Sequence, residues 1–317
     1  MKNMIFAAVT AAFMAVPALA QQDQGFGPLI AAEELAEVKD SVEPLILDIR
    51  MGEVDGKPAY EAGHIEGAVF APYRMFRGPD ENPGQLPSNE ELTQNFRLWG
   101  VEQDRPTVIV HQGNDETDFG GAARVYWTLK SAGVSEIAII NGGMNAWVKA
   151  GLPTTTEAYT EFPSDITVEI SDQWLATQEE ILAIVEGQDT GLLLDSRPEA
   201  FWTGDAAHAA AARPGTLPQS QYFTHSRWFS DDPSLIDVAA VTRLVEENGY
   251  TGQDQLVSFC NTGHWAATNW FVLSELGGVE NVKLYPESMV GWSNAGLPMD
   301  NVPGPLKNLW KQVTSIF

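Results

Sequence analysis

The sequence predicts an α/β protein made of two consecutive copies of one domain, each a parallel sheet covered by helices on both faces. Three observations lead there. A set of landmarks recurs in fixed order at a nearly constant offset; short apolar runs alternate with helical periods; and 317 residues, 44% of them hydrophobic, suit two domains with a core each.

The landmarks come first. The first half reads Leu45-Ile-Leu-Asp48-Ile-Arg50, Gly63-His-Ile-Glu-Gly-Ala68, Thr107-Val-Ile-Val-His111, Ala122–Leu129, Trp147 and Gly151-Leu-Pro153. The second half answers with Leu192-Leu-Leu-Asp195-Ser-Arg197, Gly215–Ser220, Leu256-Val-Ser-Phe-Cys260, Ala266–Leu273, Trp292 and Gly296-Leu-Pro298. Chance does not hold so many matches in one order, so the chain is read as a duplication.

Within each copy, Leu45–Ile49, Thr107–Val110, Ile137–Ile140, Leu192–Leu194 and Leu256–Phe259 are apolar runs bounded by turn residues, the signature of buried parallel strands. Between them, Ser88-x-x-Glu91 and Thr177-x-x-Glu180 are capping boxes that open helices, and Gly100 and Gly249 sit where helices should stop. Strand–helix–strand alternation implies the parallel, doubly covered sheet. The domains are assigned to 21–153 and 174–300, joined by a linker over 154–173 that contains three successive threonines and Pro163.

The two ends stand apart. Lys2, the apolar run Met4–Val16 and the Ala18-Leu19-Ala20 triplet have the layout of a secretory signal peptide over residues 1–20. The run is too short for a membrane span, which needs roughly 20 residues. The expected location is a Gram-negative type periplasm. At the other end, 301–317 form an amphipathic tail, with Leu306, Leu309, Trp310, Val313, Ile316 and Phe317 on one helical face. Docking on the protein's own surface is preferred for that face over membrane or partner contact.

The charge balance excludes some partners. With 18 Lys+Arg against 43 Asp+Glu, the net charge of −25 repels phosphate backbones and anionic lipid, which argues against nucleic-acid binding. A small anionic substrate would therefore need a locally built site.

Cys260 is the single cysteine, so it cannot form an internal disulfide. It follows the apolar strand Leu256–Phe259 and opens Cys260-Asn-Thr-Gly-His-Trp-Ala266, after which a helical pattern runs to Leu276. That places it at the carboxyl edge of a parallel sheet, where α/β folds bind ligands, and at the positive end of the next helix. Free backbone N–H groups there favour a thiolate or persulfide. Gly263 lets the loop curl into an anion nest. No metal and no cofactor is needed for such a thiolate to attack sulfur.

Taken together, Asp195-Ser-Arg197, the Gly63–Ala68 and Gly215–Ser220 pair, and the C-x-x-G-x-x-A loop of Cys260, Gly263 and Ala266 resemble the tandem-domain rhodaneses. That family includes thiosulfate and 3-mercaptopyruvate sulfurtransferases, and the resemblance covers the chain apart from its two ends. It implies that Cys260 accepts a sulfane sulfur as a persulfide and passes it to a thiophilic acceptor, a thiol or cyanide. It also implies that Arg197 pairs with the anionic donor, with Asn261, Thr262, Gly263, His264 and Trp265 around it. An ion pair with Asp195 is the structural alternative for Arg197. Asp195 and its counterpart Asp48 are read as strand-end anchors. The first copy has His111 where the second has Cys260, and its loop Gln112–Gly121 is longer, so it is read as catalytically empty.

The sequence also departs from the family. Neutral Asn261 and Thr262 fit neither the Arg/Lys of thiosulfate enzymes nor the Gly/Ser of mercaptopyruvate enzymes. Trp265 replaces a family threonine. No second arginine lies in Pro198–Gly204, leaving Arg213 or Arg227 as substitutes.

Phosphatase chemistry would need an arginine at position 266, which is Ala, and Cys260 with His264 offers only two local metal ligands. The other histidines, His64, His111, His208 and His225, lack ligand spacing. The rival that remains is a non-enzymatic periplasmic sulfur carrier loaded by a protein partner. Expression of the full chain in a Gram-negative host should yield a mature protein beginning at Gln21. Recovery of an uncut N-terminus by intact mass would contradict that assignment.

Overall fold

The computed structural model describes residues 27–304. The signal-peptide and tail assignments fall almost wholly outside that range.

The first domain runs β1 (Leu29–Ile30), α1 (Ala32–Val42), β2 (Leu45–Asp48), the hairpin β3 (Glu53–Val54) and β4 (Lys57–Pro58), α2 (Ala59–Ala62), β5 (Ala68–Phe70), α3 (Asn89–Leu98), β6 (Thr107–Val110), α4 (Glu116–Ser131), β7 (Ile137–Ile140) and α5 (Gly143–Lys149). The second runs α6 (Gln178–Val185), β8 (Leu192–Asp195), α7 (Glu199–Trp202), β9 (Gln221–Tyr222), α8 (Val238–Glu247), β10 (Leu256–Phe259), α9 (Trp265–Phe271), β11 (Val282–Leu284) and α10 (Ser288–Asn294). The main sheets are parallel, in the orders β1-β7-β6-β2-β5 and β11-β10-β8-β9.

Local chemistry sets the helix ends. Ser88 and Thr177 form complete capping boxes with Glu91 and Glu180, each hydroxyl accepting from the third helical N–H while the glutamate accepts from the cap. Gly100 and Gly249 lie just beyond α3 and α8 with φ of 73° and 65°, the left-handed turn that glycine tolerates best. The short edge strands β1, β5, β9 and β11 carry too little pattern to be read from sequence. The linker is not a free tether. Thr155 bridges back to His64, Tyr159 lies beside Val69, and Ile166 and Val168 are buried.

Strand alternation splits the apolar side chains between two faces. In β2, Leu45 and Leu47 enter a large core while Ile46 enters a smaller outer cluster. In β10, Leu256 enters the large core while Val257 and Phe259 enter the outer cluster of the second domain. The large core is shared by both domains, because α4 and α9 pack against each other at its centre. Tyr126 and Phe271 meet edge to face at 5.0 Å, and Phe119 touches both Phe271 and Phe229. The helical turn after α9 widens to a π-turn over Val272–Leu276. Its Glu275 accepts from Tyr126 Oη at 2.9 Å and Lys130 Nζ at 2.7 Å, both on α4.

The shared core predicts cooperative unfolding. Phe271→Ala should cost about 3–5 kcal/mol, the usual range for emptying a buried phenylalanine. Both halves should still melt in one urea transition; two separated transitions in the wild-type chain would contradict a common core.

Candidate active site

The duplication extends to individual hydrogen bonds. In the first domain Arg50 Nη2 donates to Asp48 Oδ2 at 2.6 Å and to the Gly63 carbonyl at 2.7 Å, and Nη1 donates to Gln112 Oε1. In the second, Arg197 Nη2 donates to Asp195 Oδ2 at 2.6 Å and to the Gly215 carbonyl at 2.8 Å, and Nη1 donates to Asn261 Oδ1. Both pairs are buried. Each ties the end of a central strand to the loop carrying His111 or Cys260. Arg197 is thus engaged by Asp195 rather than held out toward a donor. This is the ion pair that the sequence left as the structural alternative, and the same pair in the copy without cysteine shows what the motif does for the fold. Asn261 is likewise turned to Arg197.

Cys260 lies at the end of β10, between β8 and β11, and is 1% exposed. The carbonyls of Cys260 and Asn261 accept from Met289 and Val290 at the start of α10, at 3.1 and 3.0 Å, and Cys260 N–H donates to Ser288 Oγ at 3.0 Å. Among the described residues, the N–H groups of Asn261, Thr262, Gly263 and His264 have no acceptor. The Thr262 hydroxyl also has no protein partner among them. Gly263 is required here. It has φ of 65°, and a Cβ would stand 2.4 Å from Arg124 Nη1 and 2.5 Å from the Pro286 carbonyl.

The first copy fills the corresponding cradle. The Asp118 carboxylate accepts from Gly113 N–H, from Asn114 N–H at 3.1 Å and from His111 Nδ1 at 2.9 Å. Burial would raise this carboxyl, but those donors outweigh it and hold the pKa below its ordinary value. His111 Nε2 is bonded to the Ile140 carbonyl, so neither ring nitrogen is spare.

His264 and Trp265, which the resemblance places around the donor, both reach across to the first domain. The His264 pKa is pushed down to about 3, mainly by burial and then by Arg77. The neutral ring must donate from Nε2 to the Thr117 carbonyl at 2.7 Å and accept at Nδ1 from Tyr73 Oη, also at 2.7 Å. Trp265 stacks on His225 at 5.0 Å and donates to Thr117 Oγ1 at 3.3 Å.

The residues that complete the surroundings of Cys260 come from the domain without a cysteine. Arg124, buried in α4, donates from Nη2 to the Gly84 carbonyl at 2.9 Å and from Nη1 to the Gly263 carbonyl at 3.3 Å. Its pKa falls to about 9, through burial first and then repulsion from Arg77. Gly120 allows α4 to come this close, since a Cβ there would sit 2.9 Å from the His264 ring. Two signals could have marked this helix in the sequence: the Gly120-Gly121 pair in a helical run, and a lone arginine within Ala122–Leu129.

With this geometry in view, comparison with known proteins is decisive. The rhodanese-like domain family matches twice, over residues 31–150 and 177–295. The chain belongs to the rhodanese family. It is 29% identical to SseB of Mycobacterium tuberculosis, provisionally named a thiosulfate sulfurtransferase, over 84% of this chain and 94% of that one. It is 28% identical to the sulfur carrier protein TtuD of Thermus thermophilus, over 76% and 86%. The crystal structure of SseA from Escherichia coli, described as a 3-mercaptopyruvate sulfotransferase, shares the fold with a TM-score of 0.70 at 23% identity, covering 83% and 98%. Within this rhodanese frame the chain is a sulfurtransferase with one empty and one cysteine-bearing domain.

The neutral, half-buried His264 has a pH signature. The unfolded chain takes up a proton near pH 6.5 and the folded chain only near pH 3, so stability is lost as pH falls through that window. His264→Gln, which cannot titrate, should show a smaller drop in urea midpoint between pH 7.5 and 4.5. Equal drops in both proteins would contradict a neutral imidazole.

Proposed function

We propose that Cys260 carries the transferred sulfur as a persulfide, taken from a small anionic donor and given to a thiophilic acceptor. This reading rests on the loop amides. In the first copy the N–H groups of Gly113 and Asn114 close on Asp118, whereas among the described residues those of Asn261–His264 have no protein acceptor, a cradle suited to a negative sulfur.

With thiosulfate, the Cys260 thiolate attacks the outer sulfur. A new S–S bond forms, the donor's S–S bond breaks, and its electron pair leaves with sulfite. With 3-mercaptopyruvate the C–S bond breaks instead, and the carbon takes the pair and a proton to become pyruvate. A thiol or cyanide then attacks the terminal sulfur of the persulfide and restores the thiolate. The likeness to SseB and SseA supports both donors as candidates. The layout of residues 1–20 supports a periplasmic site of action.

The likeness to TtuD favours a second reading, a carrier loaded by a protein partner. Turnover separates the two readings, because a carrier would load from its partner and turn over poorly with small donors. Mature protein incubated with thiosulfate, and separately with 3-mercaptopyruvate, should gain the mass of one sulfur atom. Cys260→Ser should gain none and lose activity with the fold intact. Turnover near the wild-type rate in that variant would overturn the reading, and no gain with either donor would put the carrier ahead.

A further inference from the structure

The donor proposed above is an anion, yet the expected cations do not serve it. Arg197 is committed to Asp195. Arg213 Nη2 is spent on the Leu297 carbonyl at 2.7 Å, and the Arg227 guanidinium lies over the Phe223 ring at 4.5 Å. Asn261 and Thr262 are neutral. In a chain with so large an excess of acid, a free cation beside the reactive loop calls for an explanation.

Arg77 is such a cation. It follows the short 3-10 turn Tyr73–Phe76 and begins a domain-1 segment that crosses onto the second domain. There Asn82 Nδ2 donates to Glu287 Oε2 at 2.8 Å, and Gly84 lies so close to Pro286 that a Cβ would overlap its carbonyl. The Arg77 guanidinium stands over the Tyr73 ring, 5.4 Å from its centre. Tyr73 in turn donates to His264 of the Cys260 loop. Arg77 Nη1 is buried without any hydrogen-bond partner, and no carboxylate pairs with Arg77 among the described residues. Next to it, Arg124 reaches the Gly263 carbonyl and leaves its own Nε buried and unbonded. Burial and the Arg77 charge both depress His208, which places that charge within reach of the second domain. A buried N–H left unpaired is costly, and two arginines side by side repel. An oxyanion between them and the loop would relieve both costs.

We propose that Arg77, supplied by the first domain, is the cation that recognises the oxyanion of the sulfur donor in front of Cys260. This inference rests on the reading of Cys260 as the sulfur acceptor. The guanidinium holds the sulfonate or carboxylate end of the donor by charge-assisted hydrogen bonds. The sulfur to be transferred is then left toward the thiolate. Arg124, fixed by two carbonyls, shapes the loop and adds positive charge behind it.

The experiment compares wild type, Arg77→Gln and Arg77→Lys by two readouts. The first is KM and kcat with thiosulfate and 3-mercaptopyruvate. The second is the rate of Cys260 alkylation by anionic iodoacetate relative to neutral iodoacetamide, with thermal melting as a check on the fold. Arg77→Gln should raise KM for the donor roughly tenfold or more with a smaller change in kcat, and lower the iodoacetate-to-iodoacetamide ratio by a similar factor, as expected for loss of a charge-assisted bond. Arg77→Lys should retain part of both. If wild type takes up sulfur while Arg77→Gln leaves KM and the ratio unchanged, the role of Arg77 is refuted. If wild type takes up no sulfur from either donor, the small-donor reading fails, and the alkylation ratio still decides whether Arg77 confers anion preference on the thiol.

Discussion

The packing of α4 against α9 is the contact on which the rest of this protein depends. It merges the inner faces of two sheets into one core, with Phe119, Tyr126 and Phe271 at the centre. Because α9 begins directly after the Cys260 loop, whatever fixes α9 also fixes the loop. Because α4 carries Gly120 and Arg124, the same contact brings the first domain against the cysteine. The first domain therefore packs as a wall against the Cys260 loop.

The two halves preserve one hydrogen-bonding plan at their strand ends and diverge in the loop that follows. Asp48–Arg50 and Asp195–Arg197 lock strand ends to loops through the same acceptors, Gly63 and Gly215 carbonyls and the amides of Gln112 and Asn261. Breaking one partner of a buried pair strands a charge, which is why such a pair persists where no chemistry needs it. Divergence begins one residue past the strand. The first copy fills its cradle with the Asp118 carboxylate, while among the described residues the second offers its loop amides no protein acceptor.

Much of this was legible in the residues. The duplication, the strands read at Leu45–Ile49, Thr107–Val110 and Leu256–Phe259, both capping boxes and the strand-to-helix position of Cys260 follow from local pattern, because strong apolar runs and caps act within a few residues. What was not legible is contact at a distance. The spacing of Asp195 and Arg197 allows either a bound donor or an ion pair, and only the geometry of the loop separates them. His264 and Trp265 read only as residues around the donor, since nothing near them in sequence announces Tyr73 or Thr117. The edge strands are too short for any period, and Arg77 is an ordinary arginine until the fold sets it over Tyr73, which is bonded to His264 of the second domain.

The Asp118 cradle also bears on the history of the chain. Restoring a cysteine at His111 alone would place a thiol beside amides that already hold a negative charge, and the incoming sulfur would meet repulsion where the other copy offers donors. A second working site would need the carboxylate and the histidine to change together. The half without a cysteine supports its twin through the shared core.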